Sequence, residues 1–322
     1  MATYSEYRRT MVRRFWMYQH DTFPEWQYYF ERPFHSDGRP PVFLKKAAGC
    51  NVLINPAKNA PERELVLNEI SPKERHRWFQ SMSSSQAVAQ SILGNLKVHD
   101  RLHYLAELTD DSGLPLMGDA TLSRDKFYME YDINHLNEPR PTSVDAFVAG
   151  EYRVAIECKL MEREVGPCSR PRLTSKHSNF ERDYCNGTYT YQNGRQTRCS
   201  LTNIGVAYWQ YVSDLFTWDS EVDHRPCPLR KTYQLARNIL AACVRDDGTI
   251  VPDAGHVVLL YDARNPAFQD EGQGDEAYDT TRDALHDSRL LRKCSWQRIV
   301  GHLRKKGDFP WLVDQLEIKY GL

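Results

Sequence analysis

Apolar positions fall into regular runs only from about residue 83 onward. Ser83, Ser84 and Ser85 offer N-cap hydroxyls, and Ala87, Val88, Ile92, Leu93 and Leu96 follow at helical spacing, which predicts an amphipathic helix over 85–97. Residues 127–131, 144–148 and 153–160 read as strands, the last two forming a hairpin after the Pro-containing loop 137–143. A helix is predicted over 233–243, a buried strand over 256–261, a charged loop over 270–283 and a basic amphipathic helix over 284–306. Helix, strands, helix, strand, helix is an α/β order with a mixed central sheet flanked by helices. Residues 1–75 are rich in aromatics, Pro and Arg without a long clean period, and predict an N-terminal extension packed on a domain spanning 76–322. Residues 163–230 are irregular, hold four of the eight Cys, and read as an insertion in that domain.

With 26% charged, 41% hydrophobic and 11% aromatic residues in 322, the chain is of the soluble globular kind and not disordered, collagenous or membrane-spanning. No apolar run reaches signal-peptide or bilayer length, so a cytoplasmic protein with reduced or metal-bound thiols is expected. A net charge of −1 seems to speak against a nucleic-acid partner, but the sum hides segregation. Basic residues gather at 8–14, 163–176 and 289–306, and acids at 270–283.

The hairpin carries the chemistry. Alternation along a strand puts Val154, Ile156, Cys158 and Leu160 on one face and Ala155, Glu157 and Lys159 on the other. A three-residue turn at 150–152 pairs Ala149 with Arg153, which sets Ala146 opposite Ile156 and Asp145 opposite Glu157. Like charges directly opposite destabilise a sheet, unless a cation lies between them. Two adjacent carboxylates suit Mg²⁺ or Mn²⁺, with waters and substrate phosphate completing the shell. Lys159, on the same face, would hold or help deprotonate an attacking water and offset charge building on phosphorus. Phosphodiester hydrolysis is the reaction this set of groups suits best.

The string Asp145…Glu157-Cys158-Lys159 on a hairpin resembles the active-site motif of the PD-(D/E)XK, or restriction-endonuclease-like, nuclease superfamily. About 20 residues carry the match, and the element order over roughly 85–262 fits the superfamily core. The resemblance implies Asp145 and Glu157 as metal ligands, the Cys158 carbonyl as a further one, and Lys159 as the catalytic lysine. Many members add an acid from the preceding helix, where this chain has Gln86 and Gln90; Glu107 or Glu130 would have to substitute. The Pro that members place beside the first acid is absent, Pro141 lying four residues upstream. Gln234 resembles a helical Gln that some members place beside the site. A Mg²⁺-dependent nuclease is implied, acting on DNA in restriction, defence or DNA processing, as in bacteria and phages. The alternative is a non-catalytic nucleic-acid-binding or assembly module that keeps the fold.

Outside the hairpin, Cys168, Cys185, Cys199 and Cys227 all sit in turn-like contexts, where four thiolates would close a structural Zn²⁺ site; an iron–sulfur cluster is the rival. Arg289, Arg292, Lys293, Arg304, Lys305 and Lys306 are candidate phosphate contacts. His99 and His103 are spaced i, i+4 but lack the Glu of a zinc-protease helix, and no phosphate-binding glycine loop or serine elbow is present. The expected partner is nucleic acid, not a membrane, with a homodimer as a candidate assembly.

Overall fold

Two strands buried on both faces fix the architecture of the computed structural model, which describes residues 3–32, 38–56, 60–181, 183–192 and 194–322. Strands β1 (Phe127–Ile133), β2 (Thr142–Val148), β3 (Arg153–Cys158), β4 (Gly255–Tyr261) and β5 (Leu291–Ser295) form one sheet in the order β1-β2-β3-β4-β5. The first three run antiparallel, whereas β3, β4 and β5 are parallel. Every residue of β4 is buried, as expected of a parallel strand covered on both sides. The mixed α/β sheet flanked by helices is the expected fold, and Ala146 pairs with Ile156 as the turn predicted.

Each face has its own core. On one, Val154, Ile156, Cys158 and Leu160 pack with Val88 and Ile92. These last two belong to α3, which starts as Ser85–Ala89, passes through a π-helical turn at Gln90–Gly94 and ends as Asn95–Val98, with Ser84 as its N-cap. On the other, Ala155, Val257 and Leu259 pack with Leu235 and Ile239. These come from helix α5 (Leu229–Cys243), and Tyr278 of α6 (Gln273–Asp283) joins the same core. The insertion contributes Val165, Leu201 and, from α4 (Tyr208–Leu215), Trp209 and Val212. Remaining helices are α1 (Tyr4–Thr22), α2 (Ala60–Asn68), α7 (Trp296–Lys306) and α8 (Pro310–Tyr320).

Two expectations need correction, and the N-terminal segment holds an element its sequence pattern hides. The N-terminal segment opens with a 19-residue helix, whose Tyr7, Met11, Phe15 and Tyr18 sit in the same core as Ile156. A Thr3–Glu6 capping box starts it, and interleaved Arg8, Arg9, Arg13 and Arg14 mask its period. The charged stretch 270–283 is mostly helix α6, not loop. The basic segment 284–306 is not one helix: Leu291 to Ser295 form β5, because their place is beside β4, and only from Trp296 does the chain coil, capped by Ser295.

Helix α1 is fastened to the end of the hairpin strand. Tyr7 is buried, and its hydroxyl donates to the Leu160 carbonyl and to Asp262 Oδ2, both at 2.9 Å, while Tyr4 donates to the Met161 carbonyl at 2.7 Å. Tyr7→Phe removes this hydroxyl, while Asn265 still serves the Leu160 carbonyl and Arg264 the Asp262 carboxylate, and is expected to cost about 0.5–1.5 kcal/mol. A melting temperature equal to wild type would show that the contact is not structural.

Candidate active site

Register brings three acids onto one rung of the sheet. Met129–Ala146 and Tyr131–Val144 bracket Glu130 and Asp145, so these two face each other across β1 and β2. Continuing the Ala146–Ile156 register by one step sets Asp145 beside Glu157 of β3. At that step the Asp145 side chain takes over from the ladder, its Oδ2 accepting the Cys158 N–H at 2.6 Å. The side chain of Cys158 is buried in the opposite core, so what it offers the site is backbone.

Glu130 reaches this position by an unusual backbone. Its φ of 51° is left-handed, a conformation that costs a non-glycine residue roughly 1–2 kcal/mol. Phe127 and Met129 on one side of it join the core around Ile156, whereas Ile133 on the other side joins the core around α5. Strand β1 therefore turns over at Glu130, and β2 changes cores between Val144 and Ala146.

Helix α5 supplies the polar partners from one face, at i, i+3 and i+4. Lys159 Nζ lies 2.8 Å from Glu157 Oε1 and donates to Gln234 Oε1 at 3.0 Å. Asn238 Nδ2 donates to Glu157 Oε2 at 2.9 Å. Arg237, fully buried, donates to Asn238 Oδ1 at 2.7 Å and to the Ser143 carbonyl at 3.1 Å, tying the helix back to β2. The Lys159 backbone is locked as well, its carbonyl accepting from the Trp296 indole at 2.9 Å and its N–H donating to Leu260 O at 2.7 Å. Gly166, with φ 116°, lies so close to Gln234 that a Cβ there would overlap the carboxamide.

These groups open on a cleft of about 510 Å³ between α5 and the start of α3, lined also by His76, Trp78, Ser84, Gln86, Met161 and Glu162. Burial, and then the charges of Glu157 and Glu130, raise the Asp145 pKa well above the usual carboxylate range. Burial likewise raises Glu130 to about 7, with Glu157 and Glu74 adding to it, although Ser143 and Gln86 hydrogen bonds oppose the shift. Burial alone would lower the Lys159 pKa, but the carboxylates of Glu157, Glu162 and Asp145 outweigh it and keep the group an ammonium. Negative charge is in excess, which is the condition a divalent cation relieves. Among the described residues no three His, Cys, Asp or Glu side chains already form a metal cage.

Asp145, Glu157, Lys159, Gln86, Glu130 and Gln234 thus converge on one cleft. Glu107 does not; it pairs with Lys306 at 2.6 Å and His302 at 3.1 Å on another surface, and Gln90 is buried against the Val66 and Leu67 carbonyls. Asn238, Arg237 and Glu162 escaped the sequence reading, though polar residues one turn from Gln234 in an apolar helix were a usable signal. None of the basic candidates lines the cleft. Arg292 is buried with its guanidinium on backbone carbonyls, while Arg289 pairs with Asp287, Lys293 with Asp275, and Arg304 with Glu317 at 3.8 Å. Lys305 is exposed. No helix among the described residues is long and apolar enough to cross a membrane.

A mixed five-stranded sheet flanked by helices, with acids and a lysine at the exit of its hairpin, defines a protein of the restriction-endonuclease-like class. Within it the chain belongs to the family described as "Restriction Endonuclease associating with ARP", which matches residues 36–321. No curated protein and no solved structure matches.

The acid cluster makes a pH prediction. Glu130 titrates higher folded than unfolded, so its contribution to stability is complete below about 4.5 and is lost as pH rises through about 7. In EDTA, the melting temperature of the wild type should fall between pH 5 and 8, and Glu130→Gln, which does not titrate, should flatten that fall. Equal pH slopes for the two proteins would refute the assignment.

Proposed function

We propose that the protein is a metal-dependent nuclease that hydrolyses phosphodiester bonds, with DNA as substrate. The observation that carries this reading is the Lys159 ammonium, lodged between Glu157 and Gln234 at the edge of a cleft with Asp145 and Glu130. The donor set fits a hard cation, because the carboxylates outnumber the single ammonium among them and repel each other across the rung. Asp145 and Glu157 would hold Mg²⁺ or Mn²⁺, with Glu130 as the third acid in place of one from α3. When bound, the ion polarises a phosphoryl oxygen and acidifies water.

The chain's own groups do the rest. Lys159 remains protonated beside its carboxylates, so it acts as a hydrogen-bond donor that orients the attacking water and offsets charge on the phosphorane oxygens, not as the base. Gln234 and Asn238 fix the Lys159–Glu157 pair so that neither group has to reorganise as charge develops. At the mouth, Trp78 exposes 60% of its surface and offers a flat face to a base, a sequence-tolerant contact. The basic clusters at 8–14 and 163–176 are the next candidates for backbone contacts, apart from Arg170, which is buried on backbone carbonyls, and Arg14, which donates to the Glu317 carbonyl.

The test is cleavage of supercoiled, linear and single-stranded DNA and of RNA with Mg²⁺, Mn²⁺ or EDTA. Cutting of DNA is expected with either metal and not with EDTA. Asp145→Asn, Glu157→Gln and Lys159→Met should each lower the rate by about 100-fold or more. Asp145→Asn is the cleanest, since it removes a repelled charge and should melt no lower than wild type. Cleavage by all three variants at the wild-type rate, or salt-sensitive DNA binding with no cutting in either metal, would overturn the catalytic reading.

A further inference from the structure

The insertion brings its four cysteines to one place. Cys168, Cys185, Cys199 and Cys227, spread over 59 positions of sequence, line a single cavity of about 20 Å³ together with Pro171, Leu201 and Leu229. All eight cysteines of the chain are free thiols. Around this cavity the backbone repeats one arrangement. The Gly187 N–H donates to Cys185 Sγ at 3.4 Å, two residues on from the sulfur. The N–H groups of Arg170, Leu201 and Leu229 stand at the same two-residue offset from Cys168, Cys199 and Cys227. Trp209, in the same core as Cys199, adds a buried indole N–H that has no hydrogen-bond partner.

Donors beside a sulfur favour the thiolate over the thiol. Thiols have no use for such donors. Four thiolates around a cation do, because hydrogen bonds to ligand sulfurs orient them and spread their charge. Four thiolates are the ligand set of a single tetrahedral structural zinc.

We infer that Cys168, Cys185, Cys199 and Cys227 bind one Zn²⁺ as a structural site. The sulfurs would draw inward onto the ion, since no closed cage is present among the described residues. Metal here would join the chain leaving β3 to the start of α5. Cys168 N–H donates to the Arg230 carbonyl at 3.2 Å, Cys227 N–H to the Gly187 carbonyl at 2.9 Å, and Gln234 N–H to the Gly166 carbonyl at 3.1 Å. The same ion would thus staple long loops and hold the helix that carries Gln234 and Asn238.

The test does not depend on cleavage. Full-length protein prepared without added metal should carry about one zinc per chain by mass spectrometry of the metal. Cys168→Ser and Cys227→Ser should lose most of it, and Cys50→Ser, in another part of the fold, should keep it. Where a serine variant fails to fold, cobalt substitution of the wild-type chain gives the reading, expected as intense thiolate charge-transfer and tetrahedral ligand-field bands. A zinc-free wild type, zinc retained in the Cys168→Ser/Cys227→Ser double variant, a weak octahedral cobalt spectrum, or an iron–sulfur chromophore would each overturn the assignment.

Discussion

Lys159 stands as the counter-charge to the acids around it, and much of the architecture serves to keep it there. A lysine buried among apolar walls would tend to lose its proton, and a carboxylate in the same place would tend to gain one. Here burial is outweighed for Lys159 by Glu157, which faces it at 2.8 Å, and Gln234 and Asn238 each bind one member of the pair. An isolated ion pair of this kind contributes little to stability after desolvation. Its persistence in a fold that could have filled the site with leucine is best understood through chemistry.

The helix that completes this arrangement is anchored from two directions. From below, Leu235, Ile239 and Leu240 bind it to the sheet. From the side, Arg237 reaches the Ser143 carbonyl, while the Tyr233 hydroxyl donates to Glu138 Oε1 at 2.9 Å, in the loop that leads into β2. The strand bearing Asp145 and the helix facing Glu157 are therefore positioned by each other. At the far end of β3, α1 closes over the outgoing chain through Tyr4 and Tyr7. Segments distant in sequence converge on a few residues of one strand.

Much of this was legible in the chain. Alternation along 153–160 separated the two faces of the strand correctly, and the turn length alone set the hairpin register, because period and register are local properties. Helix α5 and strand β4 were readable for the same reason. Strand β5 was not, since Leu291 to Ser295 have no clean alternation and become a strand only by lying beside β4. Helix α1 escaped because arginines fill the positions between its buried residues, although Thr3 and Glu6 announced its start. Glu130 could be named as an acid of interest, but no pattern of side chains foretells a left-handed residue inside a strand.

That left-handed residue has a wider consequence. Because β1 passes from one hydrophobic layer to the other at Glu130, the two layers share a stretch of backbone instead of merely touching through the sheet. A disturbance in either layer then has a mechanical route to the same carboxylate. The molecule is built so that loosening its interior and misplacing its acids are one event, and a chain that has begun to melt is also one whose acid cluster has come apart.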